Sequence, residues 1–525
     1  MAPMKLYGPT MSWNVTRCVA ALEEAGAEYE IVPINFGTGE HKSPEHLARN
    51  PFGQVPALQD GDLYVFESRA ICKYACRKNK PELLKEGDLK EGAMVDVWLE
   101  VEAHQYTPAL RPILFEVLIK PMLGGTCDQK VVEENLEKLK KVLEIYEARL
   151  SKCKYLAGDF ISLADINHVS VTLCLFATPH ASVLDAYPHV KAWWTGLMER
   201  PSVHKLYGDT MSWNVTRCVV ALEEAGADYE IVHIDFGTRE HKSPGHLARN
   251  LYGATMSWNV TRCVVALEEA GAEYEIVPIN FGTGEHKSPE HLARNPFGQV
   301  PALQDGDLYV FESRAICKYA CRKNKPELLK EGDLKEGAMV DVWLEVEAHQ
   351  YTSALSPILF QVLIKPMLGG TCDQKVVEEN LEKLKKVLEI YEARLSKCKY
   401  LAGDFISLAD LNHVSVTLCL FATPHASVLD AYPHVKAWWT GLMERPSVQK
   451  LSALLLQRED KALHHYRGQS GRHYQPATSK QSLSKRNNKG TALSALEDDD
   501  SYSQPKAAEK KLRPKATAPQ HGRKN

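Results

Sequence analysis

Residues 6–206 of this chain recur as residues 251–451 at a constant offset of 245. Only seven positions differ: Pro9/Ala254, Ala20/Val265, Pro108/Ser353, Arg111/Ser356, Glu116/Gln361, Ile166/Leu411 and His204/Gln449. A stretch copied whole is expected to fold whole, so the chain poses one structural question twice. Between the copies, residues 205–250 repeat residues 5–50 at an offset of 200 with seven changes, and there the repeat breaks off.

The 525 residues are 44% hydrophobic and 25% charged, a globular composition. The formal charge of −4 hides an asymmetry: residues 458–525 carry 15 Lys/Arg against 7 Asp/Glu, so the repeated body is acidic. No basic face there calls for nucleic acid. No apolar run reaches ~18 residues and no signal-peptide pattern opens the chain, which predicts a cytoplasmic protein without a membrane span. The 13 Cys residues match no zinc spacing. Cys72 and Cys76, one helical turn apart on an apolar face, read as buried reduced thiols.

Within one copy the first eighty or so residues alternate strand and helix. Residues 5–8 form an apolar strand, and residues 15–25 have helical periodicity closed by Gly26. Residues 29–34 are β-branched and alternate, and residues 43–49 make a short helix with Pro44 in its first turn. Residues 55–59 and 63–66 flank Asp60-Gly61 as a hairpin, and residues 69–78 return to helix. The order β-α-β-α-β-β-α gives a small mixed sheet. Beyond Gly87 the strand signals vanish. Residues 131–150 place Leu136, Leu139, Leu143, Tyr146 and Leu150 on one helical stripe. Ser162 and Asp165 form a capping box ahead of the apolar helix 166–176, and residues 190–198 are the last helix. Each unit is an α/β domain followed by an all-helical one. The boundaries read as 1–82 and 88–204 in the first copy, 251–327 and 333–452 in the second, with 205–250 a truncated repeat and 453–525 a basic, disordered tail.

Three signatures stand at fixed distances: Met11-Ser12-Trp13-Asn14 after the first strand, Asn50-Pro-Phe-Gly-Gln-Val-Pro-Ala57, and Phe66-Glu-Ser-Arg-Ala-Ile71. Together they resemble the cytosolic glutathione S-transferases, specifically the plant phi class and its maize-like cereal members. The resemblance implies a thioredoxin-like N-terminal domain, a helical C-terminal domain, a dimer, and conjugation of glutathione to hydrophobic electrophiles. It implies no metal and no resident cofactor; glutathione is the cosubstrate.

The residue types suit that chemistry. Ser12 lies where the first strand meets the first helix; alone it would be an ordinary helix cap. A hydroxyl beside the positive end of a helix can stabilise a bound thiolate and lower the thiol pKa. With Ser rather than Cys at that position, thiol-exchange chemistry is disfavoured. By resemblance Pro56 is cis and leaves the Val55 backbone, with Gln54, to pair the peptide-like part of glutathione. Glu67 and Ser68 suit the γ-glutamyl ammonium and carboxylate, and His41 and Lys42 the glycyl carboxylate. By resemblance Met11, Trp13, Phe36, Phe115 and Ile119 wall an apolar electrophile pocket, the last two sharing one helical face. The second copy repeats all of these as Ser257, His286, Lys287, Gln299, Val300, Pro301, Glu312, Ser313, Met256, Trp258, Phe281, Phe360 and Ile364.

The truncated repeat keeps Ser212, His241 and Lys242, has Gly245 where the first copy has Glu45, and ends before any Gln-Val-Pro or Glu-Ser. It is expected to act as a linker without activity. It is long enough for the two copies to pair within one chain, as a pseudo-dimer, in place of a homodimer of chains. In the tail, Lys485-Arg486 and Lys510-Lys511 read as solvated charge. Two rival functions share the fold: a non-catalytic carrier of hydrophobic ligands, and an interaction module.

Overall fold

The computed structural model describes residues 3–203, 249–254, 257–452 and 454–455. The expectations for Ser212, His241, Lys242, Gly245, Met256 and the tail lie outside the described residues.

In the first copy, β1 (Met4–Tyr7), α1 (Trp13–Glu24), β2 (Tyr29–Val32), α2 (Pro44–Arg49), β3 (Ala57–Asp60), β4 (Leu63–Phe66) and α3 (Ser68–Asn79) follow the order read from the sequence. The sheet order is β2-β1-β3-β4, with β1 parallel to β2 and antiparallel to β3. α1 lays Val15, Cys18, Val19 and Leu22 on the sheet at spacings of three and four residues, all buried. Gly8 allows that approach: a Cβ there would stand 2.5 Å from Val15 Cγ2. Cys72 and Cys76 face the same core and are free thiols, with burial pushing the Cys76 thiol well up.

Most boundaries shift by one or two residues from the sequence reading. β3 opens at Ala57 rather than at residue 55, because Pro56 has no N–H to give the ladder. α1 opens at Trp13, directly after Ser12.

The helical half comprises α4 (Leu89–Val101), α5 (Thr107–Leu114), α6 (Gln129–Leu150), α7 (Leu163–Phe176) and α8 (Pro188–Met198). α6 buries Val132, Leu139, Leu143, Tyr146 and Leu150, while Leu136 is half-buried at the stripe's edge. α7 opens three residues before residue 166, since the capping box is itself the first turn: Asp165 Oδ2 accepts from the Ser162 N–H at 3.0 Å. α4 has no clean amphipathic stripe. α4 buries Asp96 and Glu100 among its apolar residues, a pattern that only a second packing partner explains. A π-helical turn, Glu102–Tyr106, joins α4 to α5, and a second, Phe115–Ile119, follows the Pro112 carried inside α5. The α-helical spacing expected for Phe115 and Ile119 is thus widened to a π turn, which still leaves the two close to one face.

The second copy repeats this as β5 (Arg249–Tyr252), α9 (Trp258–Glu269), β6 (Tyr274–Val277), α10 (Pro289–Arg294), β7 (Ala302–Asp305), β8 (Leu308–Phe311), α11 (Ser313–Asn324), α12 (Leu334–Val346), α13 (Thr352–Leu359), α14 (Gln374–Leu395), α15 (Leu408–Phe421) and α16 (Pro433–Met443). β5 begins two residues before Leu251, so Arg249 and Asn250, the end of the truncated repeat, serve as strand. Arg249 Nε pairs with Asp305 Oδ2 at 2.7 Å.

The copies pack on each other, α3 against α12 and α4 against α11. The main contacts occur twice with roles exchanged, as in an isologous interface. Arg77 meets Asp341 and Arg322 meets Asp96, each at 2.9 Å. Phe66 lies edge-on to Trp343 and Trp98 to Phe311, with ring centroids 6.3 Å apart in both pairs. His104 stacks on His349 at 5.4 Å on the pseudo-axis. This is why Asp96 and Glu100 are buried on α4: Arg322 and Lys318 of the other copy add to Lys73 and His104 of their own.

Candidate active site

Ser12 is the residue before α1, with φ −81° and ψ 121°. Its carbonyl accepts the first helical bond, from the Thr16 N–H at 2.9 Å. Its hydroxyl caps nothing and makes no hydrogen bond among the described residues. Ser257 repeats this at φ −81° and ψ 122°. The ordinary capping role is therefore not taken up, and the hydroxyl stands free beside first-turn N–H groups that have no helical acceptor.

Opposite, the Val55–Pro56 and Val300–Pro301 peptide bonds are cis, as the resemblance implies. Val55 precedes the first register pair, Tyr7↔Ala57, so its backbone stays outside the ladder. The turn is fixed from behind. The Gln54 carbonyl accepts from Asn50 Nδ2 at 2.9 Å and lies 2.8 Å from His46 Nε2. His41 and Lys42 close the same turn: Lys42 Nζ donates to the Phe52 carbonyl at 3.0 Å. Gly53, at φ +57°, is the residue that permits it, since a Cβ there would come within 2.9 Å of the His41 carbonyl and of Lys42.

Glu67 joins β4 to α3 at φ 65°, a left-handed conformation rare for a residue with a Cβ. Such strain is held only by surroundings that fix it. Ser68 Oγ accepts from Arg17 Nη1 at 3.0 Å, which leaves its own proton to give. Burial raises the Glu67 carboxyl above its ordinary pKa. In the second copy burial and the nearby Glu100 carboxylate push Glu312 up to about 7.

Several residues that hold this geometry were not singled out from the sequence. Arg17, fully buried, bonds Asn14 Oδ1, Ser68 Oγ and Glu102 Oε1, each at 3.0 Å, and so ties α1, α3 and the π turn together. Glu102 also receives Arg69 Nε at 2.8 Å, and the two guanidinium groups hold its carboxyl well below the usual carboxylate range. An arginine on the core face of an otherwise apolar helix was the available signal for Arg17. Gln350 had none. It comes from the other copy and donates to Gln54 Oε1 at 3.0 Å and Glu67 Oε1 at 3.2 Å; Gln105 does the same to Gln299 and Glu312.

In the second copy these groups surround a cleft of about 350 Å³ lined by Trp258, Asn259, Asn295, Gln299, Val300, Pro301, Glu312, Ser313, Arg314, Ala348, Thr352, Ser353 and Ser356, with His104 and Gln105 from the first copy. Six expected residues thus share one cavity, and Ser257 adjoins it. His286 and Lys287 are not on its lining but abut the turn that precedes Gln299, where Lys287 Nζ bonds the Phe297 carbonyl at 3.0 Å. In the first copy Met11, Phe36 and Phe115 are 79%, 49% and 43% exposed, too open for core side chains. Phe281 and Phe360 behave alike, and Trp13, Ile119, Trp258 and Ile364 are half-buried. Among the described residues no group of three or more His, Cys, Asp or Glu could hold a metal ion, and no helix is long and apolar enough to cross a membrane.

A four-stranded mixed sheet with a cis-proline turn, joined to a helical domain and present twice, defines a thioredoxin-like, two-domain unit. The chain belongs to the glutathione S-transferase family. "Glutathione S-transferase, N-terminal domain" matches residues 2–77, 202–251 and 248–322, and "Glutathione S-transferase, C-terminal domain" matches 106–201 and 351–446. Glutathione S-transferase 1 of Zea mays is 85% identical over 206 residues, 39% of this chain and 96% of that protein. Probable glutathione S-transferase GSTF2 of Oryza sativa subsp. japonica is 80% identical over 207 residues, again 39% and 96%. The solved structure of glutathione S-transferase I from mais in complex with atrazine glutathione conjugate is 84% identical, with a TM-score of 0.39, over 40% of this chain and 98% of that one. Within the family the chain is of the plant phi class.

Proposed function

We propose that each copy conjugates reduced glutathione to hydrophobic electrophiles, with Ser12 and Ser257 as the residues that stabilise the thiolate. The observation that carries this is the serine hydroxyl left uncommitted at the head of α1 and α9, which in the second copy adjoins a cleft framed by Gln-Val-cis-Pro and Glu-Ser. The tripeptide extends along the Val55 backbone. Its γ-glutamyl carboxylate takes the Ser68 hydroxyl and the N–H groups at the head of α3, its ammonium takes Glu67, and its glycyl carboxylate takes His41 and Lys42.

The bound thiol loses its proton to solvent, and the Ser12 hydroxyl donates to the sulfur anion left behind. The helix dipole acts in the same direction. Sulfur then attacks the electrophilic carbon held against Met11, Trp13, Phe36, Phe115 and Ile119. For an aryl halide a C–S bond forms, the C–halogen bond breaks and the halide leaves with its electron pair. Most of the acceleration is thiolate generation and positioning.

Gln350 and Gln105 reach into the opposite site, so the functional unit is the intramolecular pair of copies. Glutathione is a cosubstrate, and the cytoplasm is the compartment that suits reduced glutathione and free thiols. The test is conjugation of 1-chloro-2,4-dinitrobenzene. Ser12→Ala with Ser257→Ala should lower kcat/KM by about 100-fold or more and abolish the ultraviolet thiolate band of bound glutathione near neutrality. Full turnover by the double variant would sink the serine assignment. Unchanged ligand binding with no turnover even in the wild type would favour the carrier.

A further inference from the structure

The two copies are almost identical, yet two of their seven differences fall together on the wall of the candidate site. Ser353 and Ser356 line the second cleft beside Trp258, Gln299, Glu312 and Ser313. Their counterparts in the first copy are Pro108 and Arg111, at the same positions on α5. Positions three apart on a helix share a face, and Phe115 follows Arg111 by one turn, so Arg111 lies on the α5 face whose counterpart lines the cleft in the second copy. Arg111 is exposed and makes no hydrogen bond or ion pair with any described residue. Its five donors are therefore uncommitted. In the second copy Ser353 Oγ is spent on the Ala348 carbonyl at 3.3 Å, and Ser356 offers only an uncharged hydroxyl.

The substitution Glu116/Gln361 offsets this in net charge, since positions 111 and 116 sum to zero in both copies. Glu116 does not pair with Arg111, however: it is engaged by Lys120 Nζ and by the Asp128 N–H, both at 2.7 Å. The first copy therefore presents an unpaired guanidinium on this helix face where the second presents a serine hydroxyl.

We propose that the two sites are tuned to different electrophiles: the Ser12 site favours acceptors bearing a carboxylate or a similar anion, and the Ser257 site favours neutral ones. This rests on the transferase reading above. A planar guanidinium pairs such an anion with two parallel hydrogen bonds and steers it inward, which a serine hydroxyl cannot do. One chain thereby covers two classes of electrophile with a single fold and a single cosubstrate.

The test uses the full chain and a matched pair of aryl chlorides, 4-chloro-3,5-dinitrobenzoate and its methyl ester. In both, sulfur displaces chloride at the same ring carbon. The readout is the ratio of kcat/KM for the anion to kcat/KM for the ester, in which effects common to both substrates cancel. Arg111→Ser gives the chain two serine walls, and Ser356→Arg gives it two arginine walls. The ratio is expected to rise in the order Arg111→Ser, wild type, Ser356→Arg, with about 3- to 10-fold between the extremes. Arg111→Lys, which keeps the charge, should retain more of the ratio than Arg111→Ser. The spread should shrink at ~1 M salt, where exposed charges are screened over ~3 Å. An identical ratio in Arg111→Ser, wild type and Ser356→Arg would overturn the proposal while leaving the transferase intact. If no form turned over the ester at all, the transferase reading would fail and this inference with it.

Discussion

The head of α1 and the wall formed by α5 behave differently when the two copies are superposed in sequence. At the head of the helix the backbone repeats to within a degree: φ −81° and ψ 121° at Ser12, φ −81° and ψ 122° at Ser257. That holds although Pro9 faces Ala254 three residues upstream. The wall takes three of the seven substitutions, Pro108/Ser353, Arg111/Ser356 and Glu116/Gln361, within nine residues. The lesson is physical. The head of α1 is fixed by buried, shared groups, Gly8 against Val15 and Arg17 against Ser68 and Glu102, so a surface change cannot move it. On the wall, Ser353 and Ser356 face the cleft and Arg111 is exposed, so substitutions there alter what is bound and leave the backbone as it was.

The strongest way to break the likeness between the copies is to remove one buried anion. Glu102→Ala would strand the buried Arg17 and the half-buried Arg69 beside each other in the first copy while Glu347 keeps the second intact. Losing one partner of a buried ion pair costs about 3–5 kcal/mol. Calorimetry should show a new, earlier transition, and glutathione stoichiometry should fall from two sites per chain to one. A single unshifted transition with both sites retained would mean that the network does not hold α1 to α3.

The next largest effect separates the copies by pH. Burial and Glu100 raise Glu312 to about 7, and only its ionised form can meet an ammonium. A raised carboxyl is protonated from its folded pKa downward, so glutathione affinity at the second site should decline as pH falls through about 7. The loss should reach roughly tenfold at pH 6. Glu67 is also raised, but the His349 ring opposes the shift, so the first site should decline less. Glu312→Gln should weaken binding and flatten its pH profile; a Glu312→Gln profile that still falls below pH 7 would assign the titration elsewhere.

A smaller effect crosses the interface. Gln350→Ala removes the donor to Gln54 and Glu67 and should weaken glutathione at the first site by roughly fivefold, about 1 kcal/mol for a lost hydrogen bond. The second site, served by Gln105, should be untouched. Calorimetric titration would resolve one weakened and one normal site. Weakening of the variant's own copy would contradict the exchange seen between the copies.

These residues also mark how far the sequence could be read. The strand and helix order, the capping box at Ser162 and Asp165 and the cis bond before Pro56 all follow from local signals or from the motif they sit in. The amphipathic α6 does too, because its stripe faces one core. α4 resisted, since it is buried on more than one side and its Asp96 and Glu100 look like surface residues until Arg322 and Lys318 arrive from the other copy. Gln105 and Gln350 resisted for the same reason. A polar side chain whose partner is 194 to 296 residues away carries no local periodicity. Widened π turns carry none either, though Pro112 inside α5 was a hint that the helix could not run on regularly.

The smallest expected effect concerns Glu116 and Gln361, which do the same work with different charge. Glu116 accepts from Lys120 and from the Asp128 N–H, both at 2.7 Å; Gln361 holds Lys365 at 3.1 Å and the Asp373 N–H at 2.9 Å. Charge-assisted hydrogen bonds are the shorter and stronger kind, and the bond to Lys120 lowers the Glu116 pKa. Its contribution is therefore present above the ordinary carboxylate pKa and lost as pH falls through the lowered one. Glu116→Gln should reduce Tm by no more than about 2 °C at pH 7, with the difference from wild type vanishing in acid. Gln361→Glu should show the mirror image, a small gain at pH 7 that disappears over the same acid range. Equal Tm at every pH for both variants would mean that the turn between residues 116 and 128 is set by its hydrogen-bond geometry alone, and that the charge on one copy is incidental to it.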